Sequence, residues 1–303
     1  MIVLSGGTGT PKLLQGLRKL IPDEEITVIV NTAEDIIVSG NLVSPDVDTV
    51  LYLFSGQLDD AKWWGIRNDT FHTHNALKKR GINEKLMIGD TDRATHIMRS
   101  ELMRKGASLT QATAHISTTL GIRATVLPMC DEKVDTIITT PQGKMHFQDF
   151  WVGARGEHDV LDVKITGLEK ANITKEVVEA LASEDHVIIG PSNPITSIGP
   201  ILALKGMRKL LSGKNVIAVS PIIGDAPVSG PAGKLMRAQG YPVSSKGVAE
   251  CYRDILDTII IDERDNADEK EFPVRAVKCD TMMTSVEKSE ALARRAVELF
   301  KEL

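Results

Sequence analysis

The chain predicts an α/β protein built on a doubly wound, Rossmann-like parallel sheet, with a smaller hairpin-containing α/β lobe inserted into it. Three observations carry this. Residues 1–30 read strand, glycine turn, helix, strand. Short apolar runs then alternate with amphipathic segments along most of the remaining length. One stretch in the middle breaks that alternation with strand-like patterning.

The opening unit is Ile2 to Leu4, the turn Ser5-Gly6-Gly7-Thr8-Gly9-Thr10, and a helix over Lys12 to Leu20 with leucines at 13, 14, 17 and 20. A second strand follows at Ile26 to Val30. The leucine spacing is the stripe of an amphipathic helix, and the unbroken apolar runs are those of buried parallel strands. Further strands are expected at Lys85–Ile88, Ala124–Leu127, His186–Ile189, Val216–Ser220 and Thr258–Asp262. Helices are expected at Leu109–Leu120, Lys175–Ala182, Ile201–Leu211 and Val248–Leu256. The exception is Val134 to Val163, where Thr136–Thr139, a Pro141-Gln142-Gly143 turn and Lys144–Trp151 read as a hairpin. The chain thus divides into a core of residues 1–120 and 168–303 and an inserted lobe of residues 121–167. A terminal helix is expected behind a Thr-x-x-Glu capping box at Thr284–Glu287.

Composition excludes several classes. With 303 residues, 42% hydrophobic, 25% charged and a net charge of -5, the chain lacks the basic excess of a general nucleic-acid binder. Cys130, Cys251 and Cys279 form no CxxC pair, so no zinc knuckle or disulfide framework is expected. No signal-peptide pattern and no run near the ~18 apolar residues of a membrane span is present, so a cytoplasmic protein is expected.

Five segments could carry chemistry. The Gly6–Thr10 turn joins a strand to a helix, where exposed amides and the positive helix end form an anion site. It is not a Walker loop, and as GxGxxG it fails at Lys12; the plain alternative is a tight turn. Ser44-Pro45-Asp46-Val47-Asp48-Thr49 places two carboxylates one residue apart, a loop spacing suited to a hard cation such as magnesium. Capping of a helix beginning near Thr49 is the alternative. Gly89-Asp90-Thr91-Asp92-Arg93 follows an expected strand and precedes His96, so either a metal or base site or helix capping fits. Gly190-Pro191-Ser192-Asn193-Pro194 opens a loop rich in hydroxyl and amide donors, and Ser220–Lys234 forms a second. Trp63 and Trp64 could stack on a flat ring or fill a core. His72 and His74 read as surface residues, and Asp262–Glu271 as a solvated loop.

Taken together, SGGTGTPKLLQGL at Ser5, SPDVDTVLY at Ser44, IGDTDRATHIMR at Ile88, FQDFWV at Phe147, IIGPSNPITSIGPIL at Ile188 and VSPIIGDAPVSGPAGKLM at Val219 resemble the 2-phospho-L-lactate transferase (CofD) family. The matches run in order over almost the whole chain. Two departures are Thr91 and Arg93 in the Asp90 segment and Gly233 where an acidic residue is common.

The resemblance implies transfer of a phospholactyl or phosphoenolpyruvyl group from a guanosine diphosphate carrier to the terminal ribityl hydroxyl of the deazaflavin Fo. GMP would leave, and the product would be the precursor of coenzyme F-420. By position it implies Asp48 and Asp46 as catalytic residues and magnesium ligands, and Asp48, Met87 and Asp90 at the deazaflavin. Gly7, Thr8, Gly9, Gly190, Ser192 and Asn193 fall at the nucleotide diphosphate. A homodimer with no nucleic-acid or membrane partner is expected. The alternatives are a nucleotide-sugar-binding regulator of the YvcK-like group, without turnover, and an NAD-dependent oxidoreductase resting only on the doubly wound opening.

Overall fold

The opening strand Ile2–Ser5 lies inside a seven-stranded parallel sheet, flanked by Thr27–Val30 on one side and His186–Ile189 on the other. Beyond Thr27–Val30 comes the edge strand Thr125–Pro128; beyond His186–Ile189 come Asn215–Val219, Thr258–Asp262 and Arg275–Cys279. The computed structural model describes residues 1–303. Strand order therefore reverses between Ile2–Ser5 and His186–Ile189, which puts the topological switch point at the two carboxyl ends where α/β sheets bind ligands.

Alternate residues along these strands feed two cores, one on each face. Ile2, Leu4, Val187 and Ile189 belong to one, and Val3, Val28, Ile188 and Ile217 to the other. Every one of these side chains is at most 1% exposed, which is why the strands read as continuous apolar runs. The helix Gly9–Leu17 packs on the terminal helix Val286–Leu299. A Cβ at Gly16 would lie 2.1 Å from the Ser289 carbonyl oxygen, so only glycine allows this approach.

Several expectations shift. Lys85–Ile88 is not a strand but irregular chain, held from its flanks rather than by a ladder. The run Ile201–Leu211 is two short helices, Gly199–Ala203 and Met207–Leu211, broken where Gly206 takes φ 95°. The helix expected at Val248–Leu256 spans Ser245–Tyr252, and the terminal helix is capped by Ser285 rather than Thr284. The small antiparallel sheet of the lobe comprises Asp135–Thr140, Gly143–His146 and Asp162–Thr166. Thr125–Pro128, on the lobe side of the boundary read from sequence, is an edge strand of the main sheet. A hairpin of Ile36–Val38 and Asn41–Val43 also forms, turned by Ser39 and Gly40 at φ 48° and 77°. No helix is long and apolar enough to cross a membrane.

Candidate functional site

At the switch point the glycine turn and the GPSNP loop interlock. A Cβ at Gly9 would lie 2.0 Å from the Pro191 carbonyl oxygen, so glycine is required there. The Ser192 hydroxyl donates to the Gly6 carbonyl and lies 2.6 Å from the Thr10 hydroxyl. These bonds consume the Ser192 side chain, while Gly7, Thr8, Gly9 and Asn193 remain on the wall of a cavity of about 630 Å³. Asn193 uses its amide oxygen to accept the Ile195 amide at 2.9 Å, leaving its NH2 group as the available donor. Gly190 packs against Thr10 behind that wall.

Asp46 and Asp48 do not lie in a loop. The helix Pro45–Phe54 begins at Pro45, a residue whose fixed φ suits a first helical turn, so both carboxylates ride in that turn. Side chains two apart on a helix point to different sides. Asp46 accepts the Gly7 amide at 2.7 Å and the Asn31 NH2 at 2.9 Å, and Asn31 also donates to the Thr196 carbonyl at 3.2 Å. One carboxylate thereby joins the ends of three sheet strands. Asp48 turns instead to the helix Asp90–Arg104, where Arg99 grips both its oxygens and His96 Nε2 lies 3.2 Å away. His96 is also 3.1 Å from Asp92, which accepts the Tyr52 hydroxyl at 2.6 Å.

The two aspartates are electrostatically unlike. Burial, only partly offset by Asn31 and Gly7, pushes Asp46 up to about 6. Glu34 beside it rises well above the carboxylate range through burial and the charge of Asp46, and its buried Oε1 has no hydrogen-bond partner. Burial also raises Asp35 despite the Ser44 hydroxyl. For Asp48 burial is overcome by Arg99 and His96, which hold it at about 2. His96, which burial alone would lower, is raised to about 9 by Asp48 and Asp92. Asp48, Asp92 and His96 could offer three ligand atoms within 4.8 Å of one another, but two cations already compensate the charge there. Asp46 and Glu34 instead have no cationic partner, and two buried oxygens-only groups with one orphaned acceptor are a donor set a hard divalent cation fits.

Asp90 lies off the cavity wall. Its carboxylate accepts the Thr70 hydroxyl at 2.6 Å and the His72 and Thr73 amides at 2.9 Å, fixing the start of the helix His72–Lys79. Met87 does line the cavity, 51% exposed. Its segment is held by Glu84, a carboxylate 1% exposed that takes a bidentate bond from Arg93 at 2.7 and 2.8 Å. Ser39 and His74 bind Glu84 as well. Lys234 spends its ammonium on the Gly156, Glu157 and His158 carbonyls of the lobe. Five large apolar side chains that solvent reaches, Trp64, Met87, Trp151, Val152 and Val228, converge on the mouth of this cavity. Arg99 carries no signal of its own in sequence. Asp92, His96 and Arg99 at i, i+4 and i+7 share one helix face, and that spacing is the sign that would have found it.

The comparisons agree with this architecture. The profile of the 2-phospho-L-lactate transferase CofD family matches residues 1–298. A 2-phospho-L-lactate transferase of Methanosarcina acetivorans is 61% identical over 303 residues, covering 99% of both chains. That of Methanosarcina mazei is 60% identical over 99% of this chain and 100% of its own. Among solved structures, a UPF0052 family protein of Bacillus halodurans superposes with a TM-score of 0.68 at 16% identity, over 98% of each chain, and so shares the fold. With a family match over nearly its full length, the chain belongs to the 2-phospho-L-lactate transferase CofD family and is a transferase.

Proposed function

We propose that the chain moves a phospholactyl or phosphoenolpyruvyl group from a guanosine diphosphate carrier to the terminal ribityl hydroxyl of the deazaflavin Fo, releasing GMP. The observation that carries this is one cavity with two unlike ends. Loop amides and the Asn193 NH2 lie at the switch point, and an aromatic and apolar mouth opens opposite. Amide donors at a helix start suit phosphate oxygens, while indole and thioether surfaces suit a flat ring.

Transfer of this kind asks a protein chiefly for positioning and charge neutralisation. The Thr8 and Gly9 amides and Asn193 hold the diphosphate, the Gly7 amide being spent on Asp46. Asp46, with Glu34 beside it, would hold a magnesium ion, which supplies charge neutralisation at the diphosphate when bound. The expectation that Asp46 and Asp48 share one ion narrows to Asp46, because Arg99 and His96 already occupy Asp48. Asp48, kept ionised and weakly basic by those partners, accepts the hydrogen bond of the ribityl hydroxyl and aims its oxygen. That oxygen bonds to the phosphorus bearing the lactyl group, the bond from phosphorus to the bridging oxygen breaks, and GMP departs with the electron pair. The hydroxyl proton is lost to solvent.

Mixing the protein with Fo, the lactyl carrier and magnesium tests the reaction. Fo should gain the mass of one phospholactyl group. Fo recovered unchanged, with the carrier bound, would fit a regulator instead.

A further inference from the structure

We infer that Lys12 is the residue that receives the negative charge of the donor's phosphates. The inference rests on the donor placement proposed above and adds to it the one cationic side chain the cavity leaves unspent. Lys12 lies in the first turns of the helix Gly9–Leu17, half-buried, on the cavity wall beside Gly7, Thr8 and Gly9.

The lysine, arginine and histidine side chains on that wall are Lys12, Lys62 and His96. Lys62 pairs with Asp59 at 2.9 Å, and His96 lies between Asp48 and Asp92. Lys12 has neither a carboxylate partner nor a hydrogen bond. Its ammonium rests 5.3 Å from the centroid of the Trp63 ring. Burial lowers its pKa, as expected of a cation lacking a counter-ion.

The way Trp63 is held makes the contact informative. Its φ is +62°, a left-handed conformation that bulky side chains avoid, and its amide is fixed on the Asp59 carbonyl at 2.7 Å. Such conformations persist only where the surroundings over-determine them, and they cluster at ligand sites. Here the strained backbone sets an aromatic face under a partly desolvated ammonium. A cation over an aromatic ring keeps its charge without a fixed hydrogen bond, so its donors stay free. The acidic side of the cavity is Asp46 and Glu34, carboxyl groups on its wall without a cationic partner, which burial pushes toward the protonated form. A phosphate chain between the two sides would meet lysine at one flank and the carboxylate-held cation at the other, with loop amides between.

The test compares GDP with guanosine, which lacks phosphate, by calorimetric titration of wild type, Lys12→Met and Lys12→Arg. Lys12→Met should lose about ten- to hundredfold in GDP affinity, and the salt dependence of binding should flatten. Guanosine affinity should stay within about threefold. Lys12→Arg should recover most of the GDP affinity. Lysine acylation of the wild-type protein, read by mass spectrometry, gives a second measurement that does not depend on a folded variant. GDP should protect Lys12 and guanosine should not. Equal Lys12 labelling with and without GDP, or wild-type GDP affinity in Lys12→Met, overturns the inference. If wild type turns the carrier over while Lys12→Met binds GDP normally, only the role of Lys12 falls. If wild type neither binds GDP nor releases GMP, the proposed reaction itself falls.

Discussion

Asp46 accepts the backbone amide of Gly7 at 2.7 Å, a bond across 39 residues that seats the acidic helix start directly on the glycine turn. Together with Asn31, which links the same carboxylate to the Thr196 carbonyl, it makes three strand-end loops one rigid frame. Asp46→Asn keeps an oxygen able to accept the Gly7 amide but removes the charge. Turnover should fall at least ~100-fold, the scale of a lost electrostatic contact at a reacting centre, while the lost acceptor for the buried Asn31 NH2 costs about 1–3 kcal/mol and lowers the melting temperature without unfolding the protein. Steady-state GMP release and thermal melting check this; a folded variant with near-wild-type rate contradicts it.

The uncompensated carboxylates of Asp46 and Glu34 predict an absolute need for a hard divalent cation. Excess EDTA should abolish turnover, and magnesium or manganese should restore it. Full activity in EDTA would show that Lys12 and the loop amides suffice.

Asp48 tests a different property. Arg99 is wholly buried, so deleting its partner leaves an unpaired buried charge, typically costing ~3–5 kcal/mol. Asp48→Ala should therefore lose both stability and at least ~100-fold in turnover. The double variant Asp48→Ala/Arg99→Met should regain much of the stability and none of the activity. Denaturant titration beside kinetics separates the two effects, and recovery of activity in the double variant would deny Asp48 a part in the reaction.

Asn193→Asp retains the acceptor that holds the Ile195 amide but replaces the free NH2 donor with negative charge. GDP binding should weaken by ~1.5–3 kcal/mol or more, with Fo affinity within about threefold. If Fo weakens and GDP does not, the two substrates are placed the wrong way round.

The Glu84 and Arg93 pair sets an acid limit. Burial alone would raise Glu84, but Arg93, Ser39 and His74 outweigh it and depress the carboxyl to about 2 from 4.5. A depressed folded pKa gives stability that is present above the ordinary value and is lost as pH falls from about 4.5 through about 2. Glu84→Gln should remove that part of the acid dependence and, by loosening the Met87 segment, raise KM for Fo more than it lowers kcat. An unchanged acid-unfolding profile in Glu84→Gln would contradict this.

Much of this site was legible in sequence because it lies at strand ends. A glycine turn after Ile2–Leu4 and a donor-rich loop after His186–Ile189 declare themselves through local pattern, and parallel pairing then brings them together. The apolar run Lys85–Ile88 misled, because four residues suit a strand or a cavity wall equally well. Its true restraints, Glu84 on Arg93 and Asp90 on Thr70, are side-chain bonds without periodicity. The same holds for the division of labour between Asp46 and Asp48. Two carboxylates one residue apart look like a pair in a loop, and only a helix that starts at Pro45 sends them to different partners. The charge state of Asp48 then depends on Arg99, 51 residues away, and that of Asp46 on burial.

A crystal structure with GDP, magnesium and Fo bound tests the placement of both substrates in one measurement. The diphosphate should lie between the Gly7–Gly9 turn and Asn193 with the metal on Asp46. The ribityl hydroxyl should lie on Asp48, and the deazaflavin ring among Trp64, Met87 and Trp151. GDP density in the apolar mouth, or a ribityl hydroxyl remote from Asp48, would contradict the account.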